Sequence, residues 1–372
     1  MRRLKSIAFV LVFLVPLQMP VAAWLGARTG HPDLMAWFPL FFLFVLLPTL
    51  DYALGHDPAN VAVDRERGVS DTLWFRALTL AALPVQCALL AWSGYWFVHA
   101  GFGIAGMAGW LLSQGLVGGI LAINTAHELI HKNGRLEPTV GGLLLASVGY
   151  HGFKIEHLRG HHVHVATEAD ASSARFGQSL WHFLPRALLL NTRNAWALEA
   201  HRLQAAGLPT WSRHNEMLRW SAIWLALALA FTIWLGPIGL VFFLLQGVFA
   251  AGSLEIINYI EHYGLERQRL ADGRYERTTH RHSWNSDYAL SNLMLFQLQR
   301  HSDHHAFPKR RYAILRHHPD APQLPGGYSA MFVLAMFPPL WRRIIDPRVL
   351  AWRAAGADAA SNHAAPGQEA AA

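Results

Sequence analysis

The 372-residue sequence contains one cysteine, Cys87. A lone thiol excludes an internal disulfide, a CxxC redox pair, a thiolate zinc site and an iron–sulfur cluster held within the chain. Charge is also scarce: Asp, Glu, Lys and Arg make up 15%, where a globular chain carries about 25%. No repeat of fixed period occurs. Hydrophobic residues reach 53%, a composition that excludes disorder, coiled coils and nucleic-acid-binding tails and points to a membrane. The surplus is histidine, with 22 residues against 15 Trp and 9 Tyr.

A helix rises 1.5 Å per residue, so about 20 apolar residues cross a hydrocarbon core about 30 Å thick. Six such runs cover 6–26, 34–54, 73–98, 103–126, 219–235 and 237–260. The first follows Arg2, Arg3 and Lys5, and its apolar run is too long for a signal-peptide core, so it reads as a retained helix. With the N-terminus inside, the outer connections are 27–33, 99–102 and a turn at Gly236 and Pro237; of 31 Lys and Arg, only Arg28 falls in them. Positive residues stay on the cytoplasmic side. Both termini are therefore expected in the cytoplasm. The net charge of +7 follows from this bias and from anionic headgroups, and requires no nucleic acid.

The expected fold class is all-α: a polytopic six-helix transmembrane bundle with a cytoplasmic histidine-rich cap. Residues 1–126 hold the first four helices, 127–218 the first part of the cap, 219–260 the last two helices and 261–353 the rest of the cap. The Ala-rich stretch 354–372 lacks periodicity and reads as a disordered tail.

The histidines cluster at ligand spacing. His127 and His131 extend the fourth span, four residues apart and so on one helical face. His157, His161 and His162 form a second motif, His301, His304 and His305 a third, and His262 stands alone at the end of the sixth span. Nine convergent imidazoles exceed the three protein ligands of a catalytic zinc ion. Imidazole suits iron, copper, nickel and zinc, the absence of thiolate disfavours cuprous sites, and two irons with four or five histidines each fit the count. Imidazoles leave the ionic charge uncompensated, so nearby acids should hold the free ring nitrogens. Glu128, Glu156, Asp170, Glu261 and Asp303 are placed for this. The other histidines, among them His151, His280, His317 and His318, read as structural or interfacial, with His282 the best exception. Asp51 reads as an interfacial group at a helix end.

The segments HELIHK at 127–132, EHLRGHHVHVAT at 156–167, NYIEHYGL at 258–265, HSWNS at 282–286 and LQRHSDHHAFPKRRY at 298–312 resemble the integral-membrane alkane 1-monooxygenases, the AlkB-type hydroxylases of the membrane desaturase and hydroxylase superfamily. The resemblance runs from the second helix to about residue 350. It implies a non-haem di-iron site with two Fe ions on the nine histidines named above, and terminal hydroxylation of n-alkanes with O2. Ile130 stands where the family usually has Gly, and Ala313 where Gln is common; neither is a ligand. The resemblance also implies a bacterial-type inner membrane and electrons from a separate rubredoxin with its NAD(P)H-dependent reductase. No flavin motif, GxGxxG after a strand or CxxC pair supplies them internally. A basic rim at Lys132, Arg135, Lys309, Arg310 and Arg311 would suit an acidic carrier. Phe41, Leu43, Phe44 and Leu47 are candidates to line a slot for an alkane. Neighbouring readings are a xylene- or terpene-type hydroxylase and an acyl desaturase. A non-catalytic transporter is a further alternative, and it would place ionisable ligands at mid-bilayer rather than at helix ends.

Overall fold

In the computed structural model, which describes residues 3–364, the chain is all-helical, with isolated bridges such as His56 to Tyr288 the only strand-like pairings among the described residues. Five helices are long and apolar enough to cross a membrane: Leu4–Thr29, Pro32–Leu54, Leu73–His99, Ile104–Ile130 and Glu216–His262. The fifth has 47 residues, which as one rod would run about 70 Å, over twice the hydrocarbon core. It is not one rod. Gly236 breaks it at φ 69°, a backbone region that strains any residue with a Cβ. The rings of Phe231 and Phe243, on either side of the break, lie 5.1 Å apart. Both ends return to one place: Glu216 pairs with Lys154, and the His262 ring lies 4.9 Å from that of His161. Two arms, 216–235 and 237–262, thus occupy the positions expected for two separate spans.

Three connections gather at one end of the bundle. Gly103 N donates to Asp33 Oδ1 at 3.0 Å, Trp37 Nε1 donates to the Ala105 carbonyl at 3.1 Å, and Tyr95 stacks 6.3 Å from Trp234 beside the Gly236 break. The N-terminus is at the other end, where Lys5 pairs with Asp57 at 2.6 Å and Asp57 N donates to the Asp287 carbonyl at 2.7 Å. The fourth and fifth helices pack closely because glycine leaves room. A Cβ at Gly115 would lie 2.4 Å from that of Phe249, and one at Gly119 would lie 2.2 Å from Ser253 Oγ.

The cap is built on the end that carries Lys5. Its Leu180–Ala205 helix contains Arg186, Arg193, Glu199 and Arg202, too many charges for a lipid-facing crossing. It packs Phe183 against Tyr259, with ring centroids 5.4 Å apart. Glu199, fully buried, ties the cap together by accepting from Arg159 at 2.9 Å, Arg202 at 2.6 Å and Glu216 N at 2.6 Å. The final helix, Pro338–Ala364, seats Trp341 against Tyr259 and Tyr263. The tail expected from residue 354 begins inside this helix, and its residues 365–372 lie outside the described residues.

Candidate metal centre

At 27 residues, the fourth helix is about 40 Å long, longer than the hydrocarbon core, so its last turns project into the cap. Those turns carry His127. Immediately before them, Gly119–Asn124 widens into a π-helical turn, a feature common at functional sites. A second π turn, His157–His161, carries the middle motif. On an α-helix at 100° per residue, residue 162 would lie about 140° away from 157; a π turn closes i to i+5 and brings them together. His162 Nε2 accordingly lies 3.0 Å from His157 Nε2.

The nine histidines converge in two groups whose ligand atoms lie within 4.8 Å of one another: His127, His131, His157, His162 and His304 in one, and His161, His262, His301 and His305 in the other. Each adjacent pair is divided between the groups. His161 faces His305 at 3.3 Å while His162 faces His157; His305 faces His301 at 2.9 Å while His304 faces His162 at 3.2 Å. A sustained five-and-four division is thus a property of the fold.

The donor set fits cations. His157 Nε2 has two Nε2 neighbours, His131 at 3.1 Å and His162 at 3.0 Å, and His162 has His304 as well. A neutral imidazole nitrogen either donates one proton or offers one lone pair, so this chain of nitrogens has no complete hydrogen-bond pattern. The buried Nε2 atoms of His127 and His262 have no partner at all. A metal ion in each group would satisfy these lone pairs. Burial, followed by repulsion from neighbouring imidazoles, holds His131, His157, His162, His301, His304 and His305 well below the ordinary imidazole range, favouring the neutral, ligating form.

Of the five acids, two touch these imidazoles. Asp170 meets His161 Nδ1 at 2.9 Å, and Glu261 meets His301 Nε2 at 3.1 Å. Burial alone would lower the His161 pKa, but Asp170 outweighs it and raises it to about 9. Glu156 is buried beside Asp170 and His161, and its pKa is raised by burial and then by the Asp170 charge. Glu128 and Asp303 bond to none of the nine imidazoles. One residue along a helix turns about 100°, so Glu128 leaves the face of His127 and pairs with Lys132 at 2.9 Å. Asp303, two residues past His301, pairs with Arg310 at 2.7 Å and His318 at 2.9 Å.

The expected basic rim needs correction for the same reason. Lys132 is committed to Glu128, Arg310 to Asp303, and Arg311 to Glu137 at 3.0 Å; only Arg135 and Lys309 of the five are exposed. Asp51 is not interfacial either. It is buried and accepts from Ser291 N at 2.9 Å, which fixes the Ala289–Met294 helix to the second span. His282 positions rather than converges: its carbonyl lies 3.4 Å from His262 Nδ1, as does Ser283 Oγ.

Sequence spacing did not reveal Glu255. It lies on the fifth helix, and its carboxylate accepts from Tyr150 OH at 2.5 Å and Asn191 Nδ2 at 3.1 Å, behind the His161–Asp170 pair. Its position two turns before His262 was the available signal.

A narrow apolar cavity opens between the second, fourth and fifth helices and the cap, lined by Leu43, Phe44, Ile120, Leu254, Ile257 and Phe332. Asn124 and Leu298 lie at its wall and also line a small recess containing His127 and His304. Of the slot residues expected from sequence, Leu43 and Phe44 line it; Phe41 is exposed, and Leu47 is buried in packing.

The fatty acid desaturase family model matches residues 102–335. Alkane 1-monooxygenase 2 of Alcanivorax borkumensis is 50% identical over 353 residues, 95% of this chain and 92% of that protein. Alkane 1-monooxygenase 2 of Pseudomonas aeruginosa is 49% identical over 356 residues, 95% of this chain and 94% of that one. The xylene/toluene monooxygenase hydroxylase component XylM of Pseudomonas putida is 29% identical over 248 residues, 66% of this chain and 65% of XylM. Identity of one residue in two along nearly the whole length joins the two histidine groups to a known lineage: the chain belongs to the integral-membrane alkane 1-monooxygenases, within the fatty acid desaturase family.

Proposed function

We propose that this protein hydroxylates the terminal methyl group of n-alkanes to 1-alkanols, consuming O2, two electrons and two protons and releasing water. The observation that carries this reading is the apolar cavity whose wall residues Asn124 and Leu298 continue to His127 and His304. The identity with alkane 1-monooxygenases supports it. The ligands are His127, His131, His157, His162 and His304 for one iron and His161, His262, His301 and His305 for the other.

The substrate has no polar handle and a strong C–H bond. Two non-haem irons supply the oxidising chemistry when bound. The chain's own part is positioning. Leu43, Phe44, Ile257 and Phe332 exclude water and accept an alkyl chain lengthwise, so that only its end reaches the histidines. Asp170 orients His161 through Nδ1 and the His282 carbonyl orients His262, the outer support that metal-binding imidazoles require; Glu261 meets His301 at Nε2, the nitrogen that faces His305. The lone Cys87 leaves electron delivery to a separate rubredoxin, reduced by an NAD(P)H-dependent reductase.

The cap end carries the N-terminus beside Asp57, and the positive-inside rule supports a cytoplasmic cap on a chain of the inner membrane. A transporter reading loses support because the nine ligands cluster at helix ends and in the cap. The test is reconstitution with iron, rubredoxin, its reductase and NADH over a series of n-alkanes. 1-Alkanols are expected; no product from any alkane at full iron content would overturn the assignment.

A further inference from the structure

Outside the nine histidines, His280, His318 and Asp320 bring ligand atoms within 4.8 Å of one another. They come from two separate loops. His280 opens the short turn His280–His282, which is closed by a reciprocal capping pair between Thr279 and His282. His318 and Asp320 lie on a loop held by Ala321 N donating to the His318 carbonyl at 3.1 Å and Asn285 N donating to the Pro322 carbonyl at 2.9 Å. Both loops are therefore fixed before any ion arrives, which lowers the ordering cost of binding.

We propose that His280, His318 and Asp320 form a third metal site, on the open surface of the cap, that takes one divalent first-row ion of the zinc type. The two imidazoles lie 4.5 Å apart and nearly parallel at 6°, so the 28%-exposed His280 ring turns out of this stack for both in-plane lone pairs to meet one ion; its Nε2 already lies 2.7 Å from Asp320 Oδ2. His318 Nε2 is held by buried Asp303 Oδ1 at 2.9 Å, leaving Nδ1 as the free ligand atom. A carboxylate that fixes the far nitrogen of a metal-binding imidazole is the usual support of such sites. A tetrahedral ion with bonds of about 2.0 Å needs donors about 3.3 Å apart, a closure available to the Asp320 side chain, which is 63% exposed. Two imidazoles and one carboxylate leave at least one position for water. Asp303 belongs to the helix of His301, His304 and His305 but touches none of their rings, so the surface site is separate from the two groups below it.

The test uses full-length, untagged protein in detergent with its iron already bound. It is equilibrated with zinc chloride alone, and zinc and iron are counted per chain by elemental analysis. One zinc per chain with no loss of iron is expected. His280→Ala should abolish that zinc while iron stays constant, and Asp320→Asn, on an exposed side chain, provides the second variant should His280→Ala not fold. Zinc uptake equal in wild type and variants, or matched mole for mole by released iron, would overturn the site.

Discussion

His161 and His162 are consecutive in the chain, yet their Nε2 atoms serve different groups, 3.3 Å from His305 and 3.0 Å from His157 respectively. The π turn at His157–His161 makes this division. It has a direct consequence for metal content. His161→Ala and His162→Ala should each deplete a different iron, so each single variant is expected to retain about one iron per chain and the double variant close to none. Activity should fall by more than the 10- to 100-fold typical of outer-support changes. Mössbauer spectra of enriched samples would distinguish the two singly depleted centres; identical spectra would show that the division does not hold.

The acids divide in the same way. Asp170→Asn removes the partner of His161 Nδ1 and should weaken iron retention about 10- to 100-fold. Glu128→Gln should leave iron affinity nearly unchanged, because Glu128 is bonded to Lys132 and the Tyr312 backbone rather than to an imidazole. Competition with a chelator measures both. Equal losses would contradict the geometry.

The four histidine motifs were legible because ligand spacing on a helix is a local property: His127 with His131, and His301 with His305, share a face by periodicity alone. The division of His161 from His162 was not, since it depends on a π turn that no residue type announces. Charge was misread where pairing decided the outcome. Lys132 and Arg310 count as cations in the sequence, but buried Glu128 and Asp303 claim them. Surface status is a tertiary property, and only Lys309 and Arg135 retain it. The break at Gly236 was legible because Gly-Pro between two apolar runs leaves few alternatives.

Phe44 stacks on Phe332 at 5.0 Å across the apolar cavity, on the second span and the cap respectively. Phe44→Ala should open the slot and move the preferred alkane to longer chains, and Phe44→Trp should move it to shorter ones. A methylene in an apolar pocket changes discrimination by about tenfold or more, so the shift should appear in kcat/KM across a homologous alkane series. An unchanged profile in both variants would exclude this cavity as the substrate slot.

Glu199 gives the cap a defined acid sensitivity. Burial would raise its pKa, but Arg202, Glu216 N and Arg159 outweigh that and lower it from the model-compound 4.5 to about 2. A carboxylate with a lower pKa folded than unfolded binds fewer protons when folded, so its stabilisation is complete above pH 4.5 and is lost as pH falls towards 2. Metal-free protein in detergent should therefore show a thermal midpoint that drops through this window. Glu199→Gln cannot titrate, and its midpoint should start lower and fall less steeply. Parallel curves for the two proteins would show that Glu199 does not couple the Leu180–Ala205 helix to the rest of the cap.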